Sequence, residues 1–324
     1  MPNPGTTHTT YDLAHKRVWV AGHRGMVGGA LVRRLGSENC HILTVGRDEL
    51  DLRRQVEVEN WMDAHRPEVV IIAAATVGGI LANDSRPAEF LYDNLAIEIN
   101  IIEAAYRTKV EKLLFLGSSC IYPRLASQPI REDALLTGPL EPTNQWYAVA
   151  KIAGIMQCRA YRRQYGCNFI SAMPTNLYGI EDNFDLNASH VIPALIAKAD
   201  AAKRDRKDEM VVWGTGAPRR EFLYVDDLAD ALIFLLKHYA QEEHVNVGVG
   251  YDLAIRELAE TIAQVVGFGG RLVFDSSRPD GTPQKLMDSG LIFEMGWRPK
   301  TDLVAGLTQT YNWYCEARRR SNKE

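Results

Sequence analysis

The sequence has little of what marks a secreted, membrane-spanning or nucleic-acid-binding chain. Its five cysteines (Cys40, Cys120, Cys158, Cys167 and Cys315) form no CxxC pair, and their number is odd. That pattern argues against a disulfide framework and a zinc site, and it fits a reducing cytoplasm. The longest apolar stretch, 69–82, is interrupted by Thr76, Gly78 and Gly79 and is too short to cross a bilayer. The first sixteen residues lack both a basic start and an apolar run, so they read as a flexible tail rather than a signal peptide. Charge of one sign is not in excess either. A net charge of -4 gives no general pull toward nucleic acid or anionic lipid, so any phosphate must be held by local arginines. Repeats and low-complexity segments are absent.

What is present is alternation. From 17 to about 174, short β-branched runs alternate with longer amphipathic stretches, which predicts an α/β, doubly wound, parallel Rossmann-type sheet with helices on both faces. Strands are expected at 18–21, 41–45, 69–75, 112–116 and 168–173, and helices at 26–35, 55–65, 87–108 and 147–165. Pro87 suits a first helical turn, where a missing N–H costs nothing. Beyond 179 the alternation becomes irregular. Loops at 180–187, 214–219 and 276–283 intersperse with helices at 225–238 and 255–266. The expected division is a tail (1–16), a nucleotide-binding domain (17–179) and a smaller α/β substrate-binding domain (180–324) over the sheet's carboxyl edge, with some segments returning to the larger domain.

The run from Val18 to Ala21 enters a turn with Gly22, Gly25 and Gly28 and then a helix. Such spacing lets the backbone turn tightly, approach a pyrophosphate and pack the helix on the sheet. A strand-turn glycine cluster is the plain alternative, and the βαβ setting favours the dinucleotide. About twenty residues on, Arg47 and Asp48 offer both chemistries: an acid suits a free ribose 2′-OH, an arginine a 2′-phosphate. Arg24 adds a second guanidinium, so NADP is favoured while Asp48 keeps NAD open.

Tyr147 and Lys151 are four apart on one helix and share a face, a spacing many surface helices carry by chance. Behind a nucleotide turn it points to hydride chemistry on a carbonyl. An ammonium about 4 Å from the phenol, at an effective dielectric of about 20, supplies on the order of 4 kcal/mol toward the phenolate, which predicts a lowered Tyr147 pKa. Ser118 ends the strand at 112–116 and would share the carbonyl oxygen with Tyr147; its plain role is a turn cap. Cys120, two residues on, projects from the same face. A thiolate and an imidazole, with His190 as the candidate, would epimerise carbons beside a ketone through an enolate. A buried structural cysteine and a satisfied core histidine are the plain readings of these two.

Together the motifs GHRGMVG (22–28), RDELDL (47–52), LGSSCIYP (116–123), EPTNQWYAVAK (141–151), PTNLYG (174–179), SHVIP (189–193) and REFLYVDD (220–227) resemble the GDP-L-fucose synthase family of the extended short-chain dehydrogenase/reductase group. The resemblance runs from about 17 to the C-terminus. It implies C3 and C5 epimerisation of GDP-4-keto-6-deoxy-D-mannose and NADPH-dependent reduction at C4. Tyr147 would donate the proton, Lys151 would be its cationic partner and ribose ligand, Ser118 the carbonyl contact, and Cys120 with His190 the epimerisation pair. Cofactor contacts would come from Gly22, His23, Arg24, Gly25, Met26, Val27, Gly28, Arg47, Asp48, Asp51 and Leu52. Leu116, Gly117, Ser118, Ser119, Lys151, Pro174, Thr175, Asn176, Leu177 and His190 would complete the NADP(H) site. Lys198, Trp213, Arg220 and Asp280 would meet the GDP-sugar, although a core aromatic and a solvated helix charge are the plain readings of Trp213 and Lys198. The resemblance also implies a homodimer through the helices at 87–108 and 147–165.

Two other classes share parts of this pattern. A sugar-nucleotide 4-epimerase or 4,6-dehydratase has the same turn and helix, but dehydratases place an acidic pair where this chain has Ser119 and Cys120. A catalytically silent NADP-binding protein would keep the fold without the chemistry, and such chains commonly lose the tyrosine or lysine that this one retains.

Overall fold

The computed structural model describes residues 10–186, 188–278 and 280–321. The chain begins with β1 (Arg17–Ala21), α1 (Met26–Leu35), β2 (His41–Leu43), α2 (Gln55–His65) and β3 (Val69–Ile72). The short α3 (Ile80–Ser85), the long α4 (Pro87–Arg107), β4 (Lys112–Leu116) and α5 (Gln145–Tyr165) follow, then β5 (Phe169–Pro174) and β6 (Asn176–Tyr178). The second half holds α6 (Val191–Arg204), β7 (Glu209–Trp213), β8 (Arg219–Arg220), β9 (Phe222–Tyr224), α7 (Val225–His238) and β10 (Val245–Val247). It closes with β11 (Leu253–Ala254), α8 (Ile255–Val266), β12 (Arg271–Asp275), β13 (Gln284–Lys285), α9 (Gly290–Glu294) and α10 (Leu303–Ser321).

Six parallel strands form the central sheet in the order β10-β5-β4-β3-β1-β2. The alternation of β1 shows why helices cover both faces. Val18 and Val20 pack against Leu31 of α1 and Leu232 of α7, while Trp19 and Ala21 face Met62 of α2 and Ile101 of α4. Strands buried on both faces are what a near-continuous apolar run produces. Several helices stop where their sequence stops them: α5 and α8 end at Gly166 (φ +72°) and Gly267 (φ +76°), in the left-handed conformation glycine adopts without strain.

Three expectations are corrected. The strands expected at 41–45 and 69–75 end at Leu43 and Ile72, because past Ile72 only the bond from Ala73 N to the Ala21 carbonyl (3.0 Å) continues the ladder before the chain turns outward. The helix expected from 147 starts at Gln145. Residues 10–16 are no free tail: Tyr11 N donates to the Lys237 carbonyl at 2.8 Å, Leu13 is fully buried in the core, and Lys16 pairs with Glu111 at 2.8 Å. Residues 1–9 of the expected tail, Asn187 and Pro279 of the expected loops lie outside the described residues.

Segments from the second half do rejoin the sheet. β10 pairs with β5, and α7 packs on the sheet face it shares with α1. A separate cluster, built by α6, α8 and α10 around Ile196, Ile262 and Leu307, carries β7 and β12. Chain reversal between β1 and β3 opens a crevice at their carboxyl ends, the place where doubly wound sheets bind ligands. Among the described residues no helix is long and apolar enough to cross a membrane.

Candidate active site

The glycine turn is shaped for close backbone approach. Gly22 has φ +91°, and a Cβ there would lie 2.7 Å from the Ala74 backbone of the neighbouring loop. A Cβ on Gly28 would collide with the Gly22 carbonyl. Gly25 begins α1 with no side-chain cap, and no acid occupies the first turn, so uncapped amides and the positive end of the helix dipole face the crevice. These features fit a dinucleotide pyrophosphate. Met26 and Val27 pack partly on the core, while His23 is half-buried at the turn.

At the tip of this half of the site the geometry differs from the expected pair of converging arginines. Arg24 Nη1 is 2.9 Å from Asp48 Oδ1, and both side chains are largely exposed. The Asp48 carboxyl is held below its usual range, first by a backbone hydrogen bond and then by Arg24. Arg47 is exposed. Asp51 is taken up by Arg53 (Nη2 to Oδ2, 2.8 Å), which lowers its carboxyl to about 2, and Arg53 also reaches Asp93 at 3.1 Å. The Leu52 carbonyl accepts from Asn100 at 3.0 Å. Asp51 and Leu52 are therefore engaged within the protein.

β4 delivers Leu116 and the buried Gly117 to the crevice, followed by Ser118. Its hydroxyl oxygen accepts the Cys120 N–H at 3.3 Å, capping a short turn at Ser119–Ile121, so the plain capping role is filled as well. Ser118 also hydrogen-bonds Tyr147, which rides on the first turn of α5 edge-on to Phe90 at 6.5 Å. The expected acidification of Tyr147 is overturned. Burial, then the nearby charges of Cys120 and Glu98, raise its phenol above the ordinary value, and the Ser118 hydrogen bond offsets this only in part. The Lys151 charge does not reverse this. Lys151 Nζ is 2.9 Å from Glu98 Oε1, both side chains are buried, and the ammonium is 5.8 Å from the Tyr147 ring centre. A compensated cation exerts little net field on the phenol.

Cys120 is not a plain core cysteine. Asn144 Nδ2 donates to its sulfur at 3.3 Å, and Lys285 Nζ lies at 4.0 Å. His190 precedes α6 and does not cap it; its segment is anchored to the loop after β3 by the bond from Gly79 N to the Ala188 carbonyl at 3.0 Å. The residue is exposed to solvent, yet protein flanking the ring lowers its pKa by desolvation, as in an open cleft. Pro174, Thr175, Asn176 and Leu177 continue from β5 along the same edge, pinned where Thr175 Oγ1 and Asn176 Nδ2 reach the Glu221 carbonyl at 3.3 and 2.9 Å.

The second half of the chain holds the residues expected to meet the sugar nucleotide. Trp213 is half exposed, with Lys198 at 4.7 Å and Arg278 at 5.0 Å from its ring centre. Arg220 is desolvated, which lowers its pKa, while Asp280 works the other way. Asp280 accepts from Thr215 N and Oγ1 at 2.7 and 2.8 Å. β13 runs parallel to β8 with Lys285 opposite Arg220, so the sulfur's lysine and this arginine are strand neighbours.

Glu98, Asn144, Lys285 and Arg278 escaped the sequence reading. Glu98 had a signal: it is the one acid in the buried stripe of α4 that includes Phe90, Ile97, Ile101 and Ile102. Gly154 of α5 leaves it room, since a Cβ there would be 2.9 Å from Glu98 Oε2.

The NAD dependent epimerase/dehydratase family matches residues 18–248. The GDP-L-fucose synthase of Sinorhizobium fredii (strain NBRC 101917 / NGR234) is 61% identical, spanning 93% of this chain and 96% of its own length. That of Escherichia coli (strain K12) is 51% identical, spanning 94% and 98%. A solved gdp-l-fucose synthetase from Naegleria fowleri, bound to NADP, superposes with a TM-score of 0.91 at 30% identity over 98% of each chain. Because the matched span carries the central sheet from β1 to β10, the chain belongs to the NAD dependent epimerase/dehydratase family.

Proposed function

We propose that the chain is a bifunctional epimerase/reductase converting GDP-4-keto-6-deoxy-D-mannose to GDP-L-fucose, by inversion at C3 and C5 and NADPH-dependent reduction at C4. The observation that carries this reading is the Cys120 sulfur held beside Tyr147 by Asn144 and Lys285. A plain ketone reductase has no use for that sulfur. The relatives named GDP-L-fucose synthase, and the solved one with NADP bound, support the same substrate and cofactor.

In the epimerase half, the Cys120 thiolate takes the proton from C3 or C5 and becomes a thiol. The C–H electron pair moves into the C4 carbonyl as an enolate, whose oxygen Ser118 and Tyr147 stabilise. His190 returns a proton to the opposite face; a desolvated imidazolium gives it up readily. Proton exchange with solvent resets the pair, and no oxidation state changes.

In the reductase half, bound NADPH supplies a hydride to C4. Tyr147 gives its proton to the C4 oxygen, and its raised pKa keeps that proton in place until an alkoxide develops. Lys151 would hold the nicotinamide ribose while Glu98 fixes its direction. Gly22, Gly25 and Gly28 would cradle the pyrophosphate, with Arg24 and Arg47 near the 2′-phosphate. Lys198, Trp213, Arg220 and Asp280 would hold the GDP portion. Division into a nucleotide-binding body and a substrate wall follows the same lines.

A cytoplasmic homodimer completes the reading. Tyr92 and Ile99 on α4 and Trp146 and Val149 on α5 are exposed apolar groups on two helices that pack together, which supports a pairing face there.

Incubating the protein with the keto-sugar and NADPH in D2O tests the whole reading. Deuterium at C3 and C5, one NADPH consumed per product, and an L-fuco product by NMR are expected. A 4-epimerase or dehydratase would consume no net NADPH.

A further inference from the structure

We infer that Asn144 is a positioning residue for the epimerase half, fixing the Cys120 sulfur through its side-chain amide while Lys285 approaches the same sulfur from β13. The inference rests on the epimerase reading above and deepens it.

Asn144 occupies the N-cap position of α5, where asparagine ordinarily bonds a free backbone amide of the first turn. Here it does not cap the helix. Its Nδ2 turns to Cys120 Sγ at 3.3 Å instead, and its Oδ1 is buried without a hydrogen-bond partner. A side chain that gives up one bond and leaves another unmade is oriented by something else. Asn144 Nδ2 lies 3.3 Å and Lys285 Nζ 4.0 Å from the sulfur. Both can donate to a thiolate, the form in which Cys120 acts in the proposed proton abstraction.

The supports are rigid. Asn144 N donates to the Glu141 carbonyl at 3.2 Å, and its own carbonyl receives Ala148 N at 3.0 Å. Lys285 is flanked by Leu286 N on Gln128 Oε1 at 2.7 Å and Met287 N on Glu221 Oε2 at 3.2 Å. Two donors from separate parts of the fold thus meet at one sulfur, already beside the Tyr147 phenol that would hold the enolate oxygen. In the step they serve, the sulfur's lone pair forms the S–H bond as the C–H pair becomes the enolate. Fixing the sulfur before that moment keeps it in line with the C–H bond it opens.

The discriminating variant is Asn144→Asp, which keeps the shape and the capping capacity but replaces the donor with an acceptor. Alkylation of Cys120 by iodoacetamide, resolved by peptide mass spectrometry across pH, reads the thiolate without any sugar or nucleotide. Asn144→Asp is expected to slow alkylation near pH 7 by about ten-fold or more and move its pH profile to the alkaline side. Lys285→Met should act in the same direction, and C3/C5 exchange in D2O should fall in parallel. Unchanged Cys120 alkylation in Asn144→Asp overturns the inference, because a carboxylate within reach of the sulfur must change its reactivity. Altered alkylation with no exchange into any keto-sugar upholds the positioning role and brings down the epimerase reading alone.

Discussion

The Glu98 carboxylate sits 2.9 Å from the Lys151 ammonium, and the two are sealed from water between α4 and α5. Burial raises the Glu98 carboxyl to about 7, with Lys151 pulling it down. A carboxyl raised in the folded chain contributes stability below its ordinary value of 4.5 and loses it as pH climbs toward about 7. Glu98→Gln lacks that titration. Its stability relative to wild type should therefore rise between about pH 5 and pH 8, by a few kcal/mol at most, in denaturant melts at the two pH values. Reduction should fall about ten-fold or more as Lys151 loses its fixed direction. A stability gap that stays flat with pH would show that Glu98 is not the titrating partner.

The two halves of the reaction should separate by mutation. Tyr147→Phe removes the C4 proton source, and its NADPH oxidation should drop by about 100-fold or more while C3/C5 exchange in D2O persists. Cys120→Ser should lose exchange by a similar factor. Full turnover of the unepimerised sugar by Cys120→Ser, with the same L-fuco product, would remove the sulfur from the mechanism.

Asp48 competes with any 2′-phosphate for Arg24. The pair is exposed, so an incoming phosphate displaces the carboxylate at little cost. Asp48→Asn should tighten NADPH binding a few-fold and leave NADH binding no stronger, as measured by fluorescence titration. Equal gains for both cofactors would mean that Arg24 does not face the 2′ position.

Gly28→Ala places a methyl against the Gly22 carbonyl, a backbone atom with no room to retreat. The turn must open, which should cost about 1–3 kcal/mol of stability and weaken NADPH binding by about ten-fold or more. Calorimetry with and without cofactor separates the two effects. Wild-type affinity in this variant would rule out close pyrophosphate approach at the turn.

Much of this was legible in the sequence because the signals are local. The glycine spacing and the alternation of strand runs with amphipathic stretches located α1, α2, α7 and α8 at the bounds observed, and the hydroxyl, thiol, phenol and ammonium were all named. What the sequence concealed is long-range. β10 is three residues that pair with a strand more than seventy positions earlier, and nothing in Val245–Val247 announces a sheet edge. Thr10 to Lys16 packs through only Leu13 and, in part, Tyr11, too few apolar residues to show a periodicity. The sign of the Tyr147 shift is set first by burial, with Cys120 and Glu98 adding to it, and no spacing rule reports how deeply a helix face is covered or pairs it with its neighbour's acid.

The side-by-side register of Lys285 and Arg220 ties recognition to reactivity. Paired backbones set the residue proposed to meet the diphosphate beside the one that approaches the sulfur. On that reading a nucleotide that takes no part in the chemistry would act on it as well. The bare keto-sugar, stripped of GDP, should lose turnover as well as affinity, and free GDP added in trans should restore part of the exchange.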